Sequence, residues 1–246
     1  MPDDAIHQWL MGPPGQLVLG QGATILREWL PGVFGYRLGQ LGAVPWPEED
    51  PLEASPIRHR IRVDVSQHPR GVPGGLLADP AQLPFASDSL DLAILPFTLD
   101  FCPDPTQVLR EVERVLIPNG RLISLNFNPW SLWGLRRLAA RVTRRPEAPW
   151  TGSFISYVRM NDWLNLLGLE VEQTDVAVFR PPAGTEKMLK RTEFLENPGR
   201  RFWPMLAGVY SVQAVKLVRR LTPLRPVRRR LAPFGSGVLE PTTRGM

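Results

Sequence analysis

LLADPAQLPFASDSLDLAILPFTLDFCPDPTQVLREVERVLIPNGRLISLNFNPWSLWG, the stretch from Leu76 to Gly134, decides the fold. It reads as strand, turn, strand, helix, strand, with an acidic residue or proline at each carboxyl end, where open α/β sheets hold ligands. The first strand is Gly75–Ala78, closed by Asp79. Leu90–Leu95 follows, a short apolar run with one charge, as expected of a strand buried on both faces. A helix starts at Asp104, with Pro105 at the first helical position, where a missing N–H costs nothing. Val108, Leu109, Val112, Val115 and Leu116 recur at helical spacing until Pro118, Asn119 and Gly120 stop the run. The strand Arg121–Phe127 completes a β-helix-β unit, which requires a right-handed crossover and a parallel pair.

Outward from this core the reading is less regular. Gln16–Leu19 is expected to be the first strand, with a Gly20-Gln21-Gly22 turn into a helix from about Ala23 to Leu30. Residues 42–57 are rich in proline and acid and are expected to form an exposed loop insertion. Arg60–Val65 alternates as a strand. Between Asp64 and Asp79 the prolines and glycines predict that any connecting helix is lost or reduced to a turn. Beyond strand 5, helices are expected at Pro129–Val142, Ser156–Leu167 and Gly184–Asn197, and strands at Leu169–Phe179 and Val209–Val215.

The 246 residues suit one domain, 1–216, followed by a tail, 217–246. From Lys216 onward the chain carries eight Lys and Arg against Glu240, in a protein whose net charge is +5, so the body is nearly neutral and the tail is a basic arm. Prolines interleave the tail arginines, and a flexible segment is expected. The arm has the charge to touch RNA phosphates or an anionic membrane surface, but it lacks aromatics for base stacking, and a solubilising role is the plainer reading. An acidic start and the absence of an apolar run near 18 residues lead us to expect a cytoplasmic protein. The single cysteine, Cys102, excludes an internal disulfide and a cysteine metal cluster. It is expected to be a small buried hydrophobe, and no metal site is expected.

The central segment resembles the type 11 branch of the class I S-adenosylmethionine-dependent methyltransferases. The match rests on Asp79 ending a strand, Leu83-Pro84-Phe85, Ser89-Leu90-Asp91 and the helix Leu109–Gly120. FNPWSLWGLRR (Phe127–Arg137) and DWLNLLGLEVE (Asp162–Glu172) are similar to an uncharacterised proteobacterial group within that branch. The resemblance implies a Rossmann-like, doubly wound, three-layer α/β/α fold: a seven-stranded, mostly parallel sheet whose last strand is antiparallel. It also implies S-adenosylmethionine as cofactor and a small molecule as methyl acceptor.

Carried over residue by residue, Gly20 and Gly22 match the first two glycines of the family's cofactor turn, and Thr24 stands in place of the third. An ordinary tight turn is the alternative. Asp64 matches the acid that accepts both ribose hydroxyls, or is a solvated strand-end aspartate. Asp79 would accept the adenine amine. Pro80 has no N–H for the ring, so Ala81 or a later residue must supply that contact. Leu83, with Phe85, would wall the base or belong to the core. Pro96 and Phe97 lie beside the expected sulfonium. Asp100 is the one ionisable group placed to act as base, or is a loop residue capping backbone. Asn128 and Trp130 are candidates for orienting the acceptor, and Arg136, Arg137, Arg144 and Arg145 could hold an acidic group or simply face solvent. Two other functions stay open: a non-catalytic cofactor-binding or regulatory protein of the same fold, and an RNA methyltransferase using the tail.

Overall fold

The computed structural model describes residues 2–42, 44–47, 49–64, 75–143, 148–182 and 185–217. Two helices open the chain, α1 (Pro2–Met11) and α2 (Pro13–Trp29). Seven strands follow: β1 (Arg37–Leu41), β2 (His59–Asp64), β3 (Leu76–Leu77), β4 (Leu90–Pro96), β5 (Leu116–Phe127), β6 (Leu169–Ala177) and β7 (Val209–Lys216). Between them lie α3 (Thr98–Phe101), α4 (Pro105–Val115), α5 (Leu132–Val142), α6 (Tyr157–Leu166), α7 (Glu186–Arg191) and α8 (Glu196–Phe202). The sheet order is β3-β2-β1-β4-β5-β7-β6, parallel from β3 to β5, with β7 antiparallel to both its neighbours.

Alternation along the central strands sends successive side chains to opposite faces. Leu92 and Ile94 of β4, with Ile123, Leu125 and Phe127 of β5, join a core under α1, α2 and Trp133. Ala93, Leu95 and Leu122 join a second core under α4 and α6. This is the three-layer arrangement expected from the sequence. α4 forms where its apolar spacing placed it: Asp104 caps it through Oδ1, which accepts the Thr106 and Gln107 N–H groups at 3.1 and 3.0 Å, and Val108, Leu109, Val112 and Val115 are buried.

The amino-terminal reading is overturned. Gln16–Leu19 is not a strand; it lies inside α2, whose buried residues Val18, Leu19, Gly22, Ala23, Ile25, Leu26 and Trp29 follow helical spacing. Pro13 and Pro14 sit in its first turn, where proline is tolerated. Gly22 is a packing glycine: a Cβ there would come within 3.0 Å of Leu125 Cδ1. The first strand is Arg37–Leu41. The expected exposed loop over 42–57 is also corrected, because Leu52 and Ile57 are fully buried and Val44 and Trp46 pack on the first core. A short 3-10 turn, Pro51–Ala54, stands where a β1–β2 crossover helix would run. The expected loss of the helix between β2 and β3 falls on residues 65–74, outside the described residues, as does the tail beyond Leu217. The expected helix over 184–197 is broken into α7, a 3-10 turn at Glu193–Leu195 and the start of α8.

Candidate functional site

The carboxyl ends of β1, β2 and β4 meet at Gly42. The Gly42 N–H donates to Val63 O at 2.8 Å, which brings the end of β1 against Val63-Asp64. Gly42 has φ +99°, and a Cβ on it would lie 2.8 Å from Thr98 Oγ1, so both backbone and space demand glycine. The Thr98 hydroxyl donates in turn to Leu41 O. Beneath this turn Gln40 is buried; its Nε2 donates to Gly42 O at 2.8 Å, while its Oε1 has no hydrogen-bond partner. An orphaned buried acceptor beside a Cβ-free turn suits a ligand that brings a donor. Gln40 and Gly42 were missed from sequence because the first strand was assigned to Gln16–Leu19 and not to Arg37–Leu41. The local signal is weak, because Leu38-Gly39-Gln40-Leu41-Gly42 carries only two apolar side chains among its glycines.

Gly20 and Gly22, expected as the cofactor turn, do not form one. They lie within α2, with Gly20 facing Pro47 and Gly22 facing Leu125 and Trp46. Asp64 ends β2 and is nearly buried. Asp79 is exposed beyond β3, its Oδ1 accepting the Ala81 N–H at 2.8 Å and its carbonyl the Gln82 N–H at 2.9 Å. The Ala81 N–H expected for a base is therefore turned onto Asp79 itself. Pro80 is buried at the same turn. Leu83 belongs to the second core, and its backbone is clamped by Glu111 and Arg114. Hydrogen bonding from Arg114 holds the Glu111 carboxyl below its usual range.

Pro96 closes β4. Phe97 follows in the left-handed region (φ 59°, ψ 8°), a conformation uncommon for a bulky residue. Its N–H donates to Leu125 O at 2.9 Å, and its ring lies buried 4.9 Å from that of Phe127. Its carbonyl accepts the Asp100 N–H at 3.3 Å, so ring and backbone are both engaged within the protein. Phe127 is the hub of an aromatic cluster, stacked on Phe154 at 4.8 Å and Trp133 at 5.9 Å, with Trp9 and Phe101 edge-on.

Of the two readings of Asp100, base or backbone cap, the side chain takes the second. It is fully buried, its Oδ2 accepting the Phe127 N–H at 2.9 Å and its Oδ1 the Ile155 N–H at 3.4 Å. Burial pushes its carboxyl up to about 8, against the lowering effect of those two N–H groups and of Arg137. A side chain sealed in this way ties segments together and does not face an acceptor. Cys102 is half-buried and its thiol is pushed up to about 12 by burial and by Asp100, so it is no nucleophile at neutral pH. Asn128 is likewise structural: its Nδ2 donates to Met205 O and Ala207 O at 2.8 and 2.9 Å, and its Oδ1 accepts the Trp130 N–H at 3.0 Å. Trp130 is 76% exposed. Among the described residues no group of three or more His, Cys, Asp or Glu could hold a metal ion.

Residues 60–124, from β2 into β5, match the "Methyltransferase domain" family model. Over 89% of this chain and 98% of the other, the structure superposes with a TM-score of 0.61 and 17% identity on a chain from the complex between the Haloferax volcanii Trm112 methyltransferase activator and a methyltransferase. The fold is that of the class I methyltransferases. Two curated proteins extend the likeness to this methyltransferase-fold chain. The uncharacterized protein YafS of Escherichia coli K12 is 37% identical over 59% of this chain and 58% of its own length. The ubiquinone/menaquinone biosynthesis C-methyltransferase UbiE of Cereibacter sphaeroides is 31% identical over 56% of this chain and 55% of its own. The methyltransferase-fold chain thus spans little more than half the length of either relative. No helix among its described residues is long and apolar enough to cross a membrane.

Proposed function

We propose that this protein is an S-adenosylmethionine-dependent methyltransferase acting on a small-molecule acceptor. The single observation that carries the reading is the junction at the ends of β1 and β2. The Gly42–Val63 bond brings a Cβ-free turn against the end of β2, where Asp64 follows Val63, and the unpartnered Gln40 Oε1 belongs to the side chain that donates to Gly42 O. Gly42 would let the methionine part of the cofactor approach the backbone, and Gln40 Oε1 would accept from its ammonium. Asp64 would take the ribose hydroxyls and Asp79 the adenine amine. The bound cofactor would supply a methyl group on a sulfonium that is already a good leaving group.

What remains for the chain is orientation and exclusion of water, which can supply roughly 7–11 kcal/mol of a barrier. The aromatic cluster around Phe127 supports an apolar, water-poor neighbourhood at the end of β5. With Asp100 sealed and Cys102 protonated, the described site holds no free base from the candidates above. The reading therefore favours acceptors that arrive nucleophilic, such as an electron-rich ring carbon or a readily ionised oxygen or sulfur. The likeness to UbiE, a C-methyltransferase of ubiquinone/menaquinone biosynthesis, is consistent with the ring-carbon option.

A second reading, a non-catalytic cofactor-binding protein, is favoured by two observations: the Ala81 N–H is already taken by Asp79, and only a 3-10 turn joins β1 to β2. Methyl label from S-adenosylmethionine, followed into the small-molecule fraction of a cell extract, separates the two. Transfer by the native protein and its loss in Asp64→Ala support the enzyme; binding without transfer supports the second reading.

A further inference from the structure

α5 is apolar on both sides. Trp133 is buried in the aromatic cluster, Arg137 Nε donates to Gly152 O at 2.5 Å, and Ala140 packs on the first core, so these three define the inward face. At about 100° per residue, Leu132, Leu135, Leu138, Ala139 and Val142 fall within an arc of about 120° on the other side. Leu132, Leu135, Leu138 and Val142 are each at least half exposed. A surface helix ordinarily turns its polar residues outward; here Arg141 stands on one border of the stripe, and Arg136 on the other is drawn back, donating to Pro182 O and lying over the Trp150 ring at 5.2 Å. From Pro129 to Thr143 there is no acidic residue.

The stripe continues onto a second segment. Asn128 holds the backbone of Met205 and Ala207 beside the start of α5. Around that tie Trp130, Trp203, Met205 and Leu206 are all more than half exposed. Arg200 and Arg201 precede Trp203, and Arg201 lies over the Phe202 ring at 5.8 Å. The combination is an outward apolar stripe, tryptophans at its end, arginines on its borders and no acid along α5. It is too extended for scattered surface hydrophobes.

We propose that this face, α5 with the 203–206 segment, docks on the surface of an anionic phospholipid bilayer. Charge complementarity chooses the occupant. Leucines and Val142 would enter the acyl boundary, tryptophans would sit at headgroup level, and Arg141 and Arg201 would meet lipid phosphates. The binding is peripheral and belongs to α5 and the 203–206 segment, not to the basic residues beyond Leu217. Trp130 lies three residues beyond the carboxyl end of β5, the sheet edge that carries Gly42 and Asp64. On the methyltransferase reading, which this part of the proposal rests on, docking would present the site to an acceptor dissolved in the lipid.

The test is vesicle co-sedimentation of the full chain without cofactor, so that its result is independent of methyl transfer. Phosphatidylcholine vesicles carrying about one third phosphatidylglycerol should bind the protein, with binding weakened by salt, and pure phosphatidylcholine should bind it far less. Leu135→Ser with Leu138→Ser should lower the bound fraction about tenfold or more at unchanged thermal midpoint, because both side chains are solvated in the free protein. Four outcomes would overturn the proposal. These are no binding to anionic vesicles at low salt, binding that the double substitution leaves intact, and binding lost on deleting residues 218–246 while α5 is native. The fourth is a native dimer that the substitutions turn into monomer in light scattering, which would assign the face to a second copy.

Discussion

The Asp100 carboxylate accepts the Phe127 N–H at 2.9 Å, joining the first turn after β4 to the last residue of β5. The same residue reaches the 153–155 segment through Ile155 N–H and through its own carbonyl, which accepts the Ser153 N–H at 2.6 Å. Its carboxyl is raised from 3.8 to about 8 by burial. The folded state thus holds a proton that the unfolded chain releases, and stability contributed by the protonated form is present below pH 3.8 and lost progressively as pH rises to about 8. Asp100→Asn should flatten this decline. Thermal unfolding of both proteins between about pH 5 and pH 8 checks it, and parallel curves would show that Asp100 does not titrate in that window.

Tyr210 closes the same region from β7. Its hydroxyl donates to Ile155 O at 2.9 Å, and burial, with the nearby Asp100, pushes its phenol well above the usual value. Tyr210→Phe keeps the packing and removes the bond, which should cost about 1 kcal/mol in urea unfolding. A loss near zero would mean that Ile155 O is served equally well by water.

Asn128→Ala should release the 203–207 segment from β5. Two donated bonds to Met205 O and Ala207 O disappear, leaving those carbonyls to water, at a cost of about 1–3 kcal/mol. Faster hydrogen exchange confined to the neighbourhood of Gly208, whose carbonyl accepts the Asn128 N–H, is the expected signature. A uniform change across the sheet would indicate a global effect.

Gly42→Ala joins a strained φ to a contact with Thr98 Oγ1. It should lower stability by about 1–2 kcal/mol and weaken cofactor binding more than Gly22→Ala, whose new contact is a leucine methyl inside the core. Equal effects on cofactor binding would return the glycine role to α2.

The centre of the fold was legible because β4, α4 and β5 obey simple periodicities: an apolar run, a 3.6-residue repeat and a capped start. The positions of Asp64 at the end of β2 and of Asp79 just beyond β3 were legible for a related reason, since strand-end acids follow directly from placing the strands. The amino-terminal part was not. Leu17-Val18-Leu19 is as apolar as a strand, and only the wider spacing to Leu26 and Trp29 reveals a helix. Arg37–Leu41, by contrast, carries a charge and an internal glycine and is recognised by its pairing with β2 and β4. Asp100 was found with both of its readings, base or backbone cap, and the structure shows it accepting two backbone N–H groups, whereas Asn128 was expected at the acceptor and is spent on backbone carbonyls. Nothing local in the sequence tells that one is sealed under Ile155 and the other spent on Met205 and Ala207.

Calorimetric titration of the full chain with S-adenosylhomocysteine tests the central claim most directly. The expected result is saturable one-to-one binding that Asp64→Ala weakens about ten- to a hundredfold, as expected for losing hydrogen bonds to a charged group, while the variant keeps the native fold. No heat of binding at about millimolar ligand, on the scale where specific affinity vanishes, or an affinity indifferent to Asp64, would contradict it.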